Sequence, residues 1–311
     1  MSVSFSIVIP TCNRVQQLEQ LIESLIKSIK FIENECVCEI IVSDDSTNLI
    51  TKKFIETNFP EISWIKGPQQ GPGANRNYGA LSAIKTWLVF IDDDCYVNEG
   101  FLACYLDRLK QSSDKVLEGK IICPNKKNSI FVRQPENSQG GVLASGNFAI
   151  EKSLFEKIGG FDEDLKIMED MEFANRLENL GQNYTFCENS IAFHPSQPKK
   201  LGFYFNWVFH FKWQLLLSYK CGQRNIKESF LSSLLRTVYD HILLLVRITY
   251  HLISKFDKDR WVMYSFERIL AWLTLPICLP YLVFWTMIYR TKIKSMEIKI
   301  PTINKRVPLE E

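Results

Sequence analysis

Three short apolar runs, each stopping at polar residues, constrain this chain more than any other feature. Residues 5–9 (FSIVI), 37–42 (VCEIIV) and 87–91 (WLVFI) have the length and apolarity of buried strands. Between the first two, Val15, Leu18, Leu21, Ile22, Leu25, Ile26 and Ile29 recur at the spacing of a helix that lays one apolar stripe on a sheet. Strands this uniformly apolar need cover on both faces, so their alternation with helices predicts a doubly wound, mostly parallel α/β sheet. Ligands of such sheets bind beyond the carboxyl ends of the strands. There stand Thr11, the pair Asp44-Asp45, expected beside the third strand, and the run Asp92-Asp93-Asp94. Further strands are expected over 116–123, 142–150 and 184–193, and a helix over 168–180 that stops at Gly181.

The acidic run carries the strongest chemical signal. Three adjacent carboxylates repel one another, so a strand end that gathers them calls for open solvent or a cation. Oxygen-rich sites of this kind suit Mg2+ or Mn2+, whose remaining positions take phosphate oxygens. The segment 67–77 (GPQQGPGANRN) adds a Gly-rich loop that runs into a helix, with Arg76 in its first turns, and such loops let backbone N–H groups and a guanidinium approach phosphate. It lacks the GKS/T ending of a P-loop. A net charge of only +2, from 37 basic and 35 acidic residues, gives no global field for nucleic acid. The nine cysteines form no CxxC pair and read as free thiols in a reducing compartment. Residues 1–10 lack a basic n-region, and Pro10 cuts the apolar run short, so the opening reads as a core strand made in the cytosol and not as a signal peptide.

Taken together, residues 6–14 (SIVIPTCNR), 41–47 (IVSDDST), 73–77 (GANRN) and 90–94 (FIDDD) resemble the successive signatures of glycosyltransferase family 2, the inverting enzymes of GT-A fold. Downstream, Gly146-Asn147, then 159–163 (GGFDE), then Glu169-Asp170 with Arg176, resemble the family's acceptor-side elements in order. The resemblance covers about two thirds of the chain and implies a role for each position. Thr11 and Asp45 would hold the nucleotide base with Asp44, Arg76 and Asn77 nearby. Asp93 would serve the ribose side, and Asp92 and Asp94 the metal and diphosphate. His194 would complete the metal shell or touch the diphosphate, and Gly146, Asn147 and Glu169 would line the acceptor side. Asp170 is the candidate general base, because an inverting displacement needs one carboxylate to take the proton of the attacking hydroxyl. Two departures stand out: Cys12 replaces the family's usual aromatic, and the family's DDGS is Asp44-Asp45-Ser46-Thr47 here.

The expected organisation is a catalytic domain over 1–220, with nucleotide-sugar binding in about 1–95 and the acceptor side in about 96–220. A helical, hydrophobic, membrane-associating region over 221–311 follows it. Residues 269–289 carry no charge over a length that reaches the membrane criterion. Pro276 and Pro280 interrupt them, and both flanks are basic, which favours a re-entrant or interfacial hairpin on the cytosolic side. Residues 203–219 and 238–253 suit helices lying in the headgroup region, with His210, His241 and His251 in packing or interfacial places. The implied partners are therefore a nucleoside-diphosphate sugar, a glycan or lipid-linked acceptor and the cytoplasmic face of a membrane. Nothing in the sequence specifies an oligomeric state. Two alternatives stay open here: a transferase acting on a soluble or peptide acceptor, and a metal-dependent nucleotidyltransferase. The second would carry a Gly-rich basic loop directly after its first strand, where this chain has Pro10-Thr11-Cys12-Asn13.

Overall fold

The alternation of apolar side chains along the strands decides the layering. In a computed structural model of the chain, Phe5, Ile7 and Ile9 of β1 (Ser4–Thr11) enter one core while Val8 enters the other. The structure describes residues 3–127, 132–198, 213, 216, 217, 220 and 221. After β1 come α1 (Val15–Ile32), β2 (Val37–Asp44), α2 (Ile50–Asn58), β3 (Ser63–Lys66), α3 (Pro72–Leu81), β4 (Trp87–Ile91), β5 (Tyr96–Val97) and α4 (Phe101–Gln111). They are followed by β6 (Val116–Ile122), β7 (Val132–Arg133), β8 (Asn147–Glu151), α5 (Lys152–Ile158), α6 (Glu169–Asn179), β9 (Thr185–Phe193) and β10 (Gln197–Pro198). The main sheet runs β3-β2-β1-β4-β8-β6-β9-β5. Its first four strands are parallel, β8 is antiparallel to both neighbours, β6 and β9 are parallel, and β5 closes the edge antiparallel.

This is the expected α/β sheet with two corrections. β1 stands between β2 and β4, so Asp44-Asp45 is one strand removed from the acidic run and does not lie beside it. The strand expected over 142–150 begins only at Asn147. Ahead of it the chain curls, with positive φ at Gly140, Gly141 and Leu143, and the N–H groups of Gly141, Val142 and Leu143 are taken by the Glu118 carboxylate instead of a sheet partner. Hydrophobicity alone reads the two situations alike, because Leu143 is fully buried in either.

One face of the sheet is covered by α1 through Leu18, Leu21, Ile22 and Leu25, and by α4 through Phe101, Leu102 and Tyr105. The other face carries α3, α5 and α6 over a cluster of phenylalanines. Phe161 lies with its centroid 4.9 Å from Phe173 and 5.4 Å from Phe90, and Phe90 stacks on Phe148 at 5.0 Å. α3 can sit directly on β1 because Gly79 has no side chain: a Cβ there would meet Val8 Cγ1 at 2.5 Å.

The antiparallel register of β8 on β4 does most to build the site. Pairing Ile91 with Asn147 brings the start of β8 to the end of β4, so Gly146 stands against Asp92. The unit that holds the sheet includes Met1–Pro198. Among the described residues no helix is long and apolar enough to cross a membrane. The membrane-seeking segments expected within 203–219, 238–253 and 269–289, with His210, His241 and His251, lie outside the described residues apart from 213, 216 and 217.

Truncating the ring at the centre of the aromatic cluster, Phe161→Ala, should cost about 3–5 kcal/mol. Phe31→Ala, at a side chain 64% exposed, should stay within about 0.5 kcal/mol. Urea unfolding of the two variants, compared at unchanged m-value, checks the contrast.

Candidate active site

Thr11 closes β1 between the two acidic strand ends and touches both. Its carbonyl accepts from the Asp45 N–H at 2.9 Å, and its buried hydroxyl donates to Asp93 Oδ2 at 2.7 Å. Asp45, half-buried, takes the Gln69 N–H on Oδ1 at 2.8 Å and so ties the Gly-rich loop to β2. Gly67 allows this approach, since a Cβ there would fall 2.3 Å from Asp45 Oδ1 and 2.4 Å from Asn75 Oδ1. Burial raises the Asp45 carboxyl above its usual range against the N–H bonds from Gln69 and Gly71.

The acidic run is met by two arginines. Arg14, just before α1, places Nη1 2.9 Å from Asp93 Oδ1 and 2.7 Å from Asp94 Oδ2. Arg76, only 4% exposed on α3, spans Asp92 Oδ1 at 2.5 Å and Glu169 Oε1 at 2.7 Å. Burial works against the Arg76 charge, but Asp92 and Glu169 overcome it and hold the guanidinium firmly protonated. Desolvation likewise works to raise Asp92, and Arg76 outweighs it, keeping that carboxyl below its usual value. Glu169 is raised by burial in spite of Arg76. Asp93, buried behind Thr11, is pushed up to about 6 by burial, which Arg14 and the Thr11 hydroxyl oppose.

Asp94 has a different surrounding. Its Oδ2 takes Arg14 and Gln197, while Oδ1 is buried without a hydrogen-bond partner and faces His194 Nε2 at 3.2 Å. His194 follows β9, its N–H held by the Ile122 carbonyl at 2.8 Å and its Nδ1 3.2 Å from the Pro195 carbonyl, an arrangement that turns Nε2 toward Asp94. A buried carboxylate oxygen left without a donor, opposite a buried imidazole nitrogen, fits a divalent cation of the Mn2+ or Mg2+ kind. Cys95 Sγ completes a group whose ligand atoms all lie within 4.8 Å of one another.

Across Gly146 lies the second carboxylate of interest. A Cβ at Gly146 would sit 2.9 Å from Asp92 Oδ2, and the Ser145 N–H approaches Asp170 Oδ2 at 3.5 Å. Asp170 is half-buried in the first turn of α6, which starts after Met168 in a left-handed conformation at φ 65°. Its Oδ1 accepts the Met171 N–H at 2.9 Å.

Thr11, Arg76, Asp92, Asp93, Asp94, His194, Gly146, Glu169 and Asp170 therefore form one connected group, with Asp45 joined through Thr11. Three expected site residues face inward. Asp44, fully buried, accepts from the Ser46 N–H at 2.8 Å and from Trp64 Nε1 at 3.2 Å. Asn77 exchanges hydrogen bonds with the Phe161 backbone and donates to Glu163 Oε1 at 3.0 Å, so it fastens the 159–163 loop to α3. Asn147 bonds Tyr105 Oη at 2.7 Å and the carbonyls of Lys120 and Ser190 at 2.9 Å, bridging the register shift where β6 meets β9. Arg14, Gln197 and Glu118 carry no site role in the sequence reading. Arg14 had one legible signal, a basic residue three past Thr11 at a helix entrance, whereas Gln197 meets Asp94, and Glu118 meets the loop leading to Gly146, only through tertiary structure.

The fold and this group define the class: an α/β fold with an acidic strand end and, joined to it through Ser145 and Gly146, a further carboxylate on α6. The family model for glycosyl transferase family 2 matches residues 6–171, more than half the chain, and the chain belongs to that family. The nucleotidyltransferase alternative is thereby removed.

Among relatives, a GalNAc(5)-diNAcBac-PP-undecaprenol beta-1,3-glucosyltransferase of Campylobacter jejuni subsp. jejuni is 26% identical over 211 residues, 66% of this chain and 62% of that protein. Among solved structures, a mannosyltransferase of Pyrobaculum calidifontis in complex with GDP-Man and Mn2+ superposes with a TM-score of 0.56. It is 13% identical, with 94% of this chain and 88% of that chain covered. S. aureus TarS in complex with UDP-GlcNAc gives a TM-score of 0.52 at 20% identity, covering 71% and 66%. The chain spans 61% and 62% of the length of the first two curated relatives it matches.

Because Asp93 titrates higher in the fold than its ordinary 3.8, its contribution to stability is fully present below that value and is lost as pH rises through about 6. In the absence of divalent cations, Asp93→Asn should flatten this decline by about 1–3 kcal/mol. Thermal unfolding of both proteins across about pH 4 to 7 tests it.

Proposed function

We propose that the chain transfers a sugar, with inversion, from a nucleoside-diphosphate sugar to a hydroxyl of a lipid-linked glycan or a growing polysaccharide, at the cytoplasmic face of a membrane. The observation that carries the reading is that Asp94 Oδ1, buried and facing His194, belongs to the acidic run whose Asp92 meets Gly146, while Ser145, next to Gly146, directs its N–H at Asp170. The acidic run fits the leaving diphosphate, and Asp170 fits the attacking hydroxyl.

In this reading the ends of β1 and β2, with Thr11 and Asp45, receive the nucleoside. Asp92, Asp94 and His194 would hold the Mn2+ or Mg2+, which supplies positive charge to the diphosphate as it departs. Arg76 is committed to Asp92 and Glu169, so its part is to fix the acidic edge and not to reach the phosphates itself. Asp170 accepts the proton of the acceptor hydroxyl while that oxygen attacks the anomeric carbon. The C–O bond to the diphosphate breaks in the same displacement, and no covalent enzyme intermediate is needed.

Two things support the acceptor and the location. The Campylobacter relative is named for an undecaprenol-linked substrate. The uncharged residues 269–289, with basic flanks on both sides, match a segment that enters a bilayer from the cytosolic face.

With a panel of nucleotide sugars and Mn2+, nucleoside diphosphate release should be abolished by Asp94→Asn. Asp170→Asn should slow transfer by about 10²–10⁴-fold while donor affinity is kept. Wild-type transfer rates in the Asp170 variant would remove the base from the scheme. The protein should also sediment with membranes and require detergent for extraction, and full recovery in a detergent-free soluble fraction would count against the membrane assignment.

A further inference from the structure

Glu118 is an acid in a place where an acid is expensive to keep. It lies in the middle of β6, 1% exposed, with no cationic partner among the described ion pairs. Its carboxylate is satisfied instead by four donors from one stretch of chain. Oε1 accepts Asn137 Nδ2 at 2.7 Å, the Val142 N–H at 3.0 Å and the Leu143 N–H at 2.6 Å, while Oε2 accepts the Gly141 N–H at 2.6 Å. Successive amides can converge on one group because the backbone turns left-handed at Gly140, Gly141 and Leu143. Asn137 fastens the other end by exchanging backbone hydrogen bonds with Ile121 and accepting the Gly140 N–H at 3.0 Å. The loop is thus wrapped round a buried anion, with charge-assisted bonds doing what strand pairing does elsewhere.

The far end of the same loop touches the chemistry. Three residues beyond the last of these amides, Gly146 stands against Asp92, and Ser145 directs its N–H at Asp170. Leu143, fully buried, is pinned into the phenylalanine core, while Val142 beside it is 55% exposed. The stretch therefore has a fixed inner rail and an open outer side.

We infer that Glu118 is a positioning residue that sets the spacing between the acidic strand end and Asp170 by holding the 140–146 loop. This rests on the proposed transfer reaction, within which it assigns the acceptor-side geometry to a residue that never meets substrate. Removing the negative charge should loosen the loop and misplace Asp170, leaving the donor side intact, because Thr11, Asp45 and the Gly-rich loop make no contact with Glu118 in the bonds described, and Asp92, which Gly146 abuts, is held from α3 by Arg76.

The test is hydrogen exchange of the full chain, compared between wild type and Glu118→Gln. The amide is nearly isosteric, but it cannot accept hydrogen bonds on both of its polar atoms. Exchange should accelerate over 140–146 and over the start of α6 around Asp170, and stay unchanged over 67–77. Donor affinity, read by calorimetry with nucleotide sugar and Mn2+, should be kept while turnover falls by about 10²-fold. Should Glu118→Gln not fold, Asn137→Ala, which keeps the carboxylate but removes one of its donors and the acceptor of the Gly140 N–H, should show the same pattern in weaker form. Unchanged exchange, acceleration confined to 140–143, or a uniform rise across the domain would overturn the inference, as would donor affinity falling in step with turnover. If wild type binds no nucleotide sugar, the transfer reading fails by itself, and the exchange pattern still decides whether Glu118 holds Asp170 in place.

Discussion

Everything at the working edge of this molecule depends on how three consecutive carboxylates are made compatible at the end of one strand. Two like charges about 4 Å apart repel by about 4 kcal/mol at an effective dielectric near 20, so the run Asp92–Asp94 is untenable unless cations meet it. The chain provides two of them from opposite directions: Arg14 from the mouth of α1 and Arg76 from inside α3. Arg14 brackets Asp93 with Asp94 within the run, and Arg76 ties the run to α6 by joining Asp92 to Glu169. Breaking a buried pair such as Arg76–Glu169 typically costs about 3–5 kcal/mol, because the partner is left charged and unpaired. The electrostatics that make the edge stable therefore also fix its shape. After both arginines are placed, the unmet capacity is concentrated on Asp94 Oδ1 beside His194. In the proposed reaction this is where the divalent ion would be held.

Backbone close approach is the second constraint, and it uses the absence of side chains. Gly67 lets the donor-side loop reach Asp45, Gly79 lets α3 lie on β1, and Gly146 lets the start of β8 meet Asp92. The antiparallel insertion of β8 between β4 and β6 brings the loop that ends at Gly146 to the carboxyl end of β4. Asn147 and Glu118, both buried, secure that insertion from beneath through hydrogen bonds to backbone.

Local chemistry was legible in the sequence, and long-range pairing was not. β4 and α1 could be drawn nearly to the residue, since apolar runs and a helical stripe are properties of the segments themselves. The polar strand ends read from the sequence do converge on one edge of the sheet, where Thr11 bonds both Asp45 and Asp93. Strand order was misjudged by one place, because apolarity shows that a strand is buried without showing its neighbours, and β1 separates Asp45 from the acidic run. Residues 142–146 have the composition of a strand, and only the Glu118 carboxylate, distant in sequence, explains why they curl. Arg76 was read as a phosphate ligand from its place in a Gly-rich loop, although its guanidinium turns inward to two carboxylates. For Asn77, Asp44 and Asn147 the partners of each side chain depended on loops that no local pattern describes.

The central claim is that the acidic edge carries a cation when it binds a nucleotide-linked sugar. Calorimetric titration of nucleotide sugars into the folded protein, first with Mn2+ and then after chelation, tests it most directly. Saturable binding that disappears with the metal, and that Asp94→Asn also loses, is the predicted result. Equal affinity with and without divalent ions, or no affinity for any nucleotide sugar in well-folded protein, would contradict it.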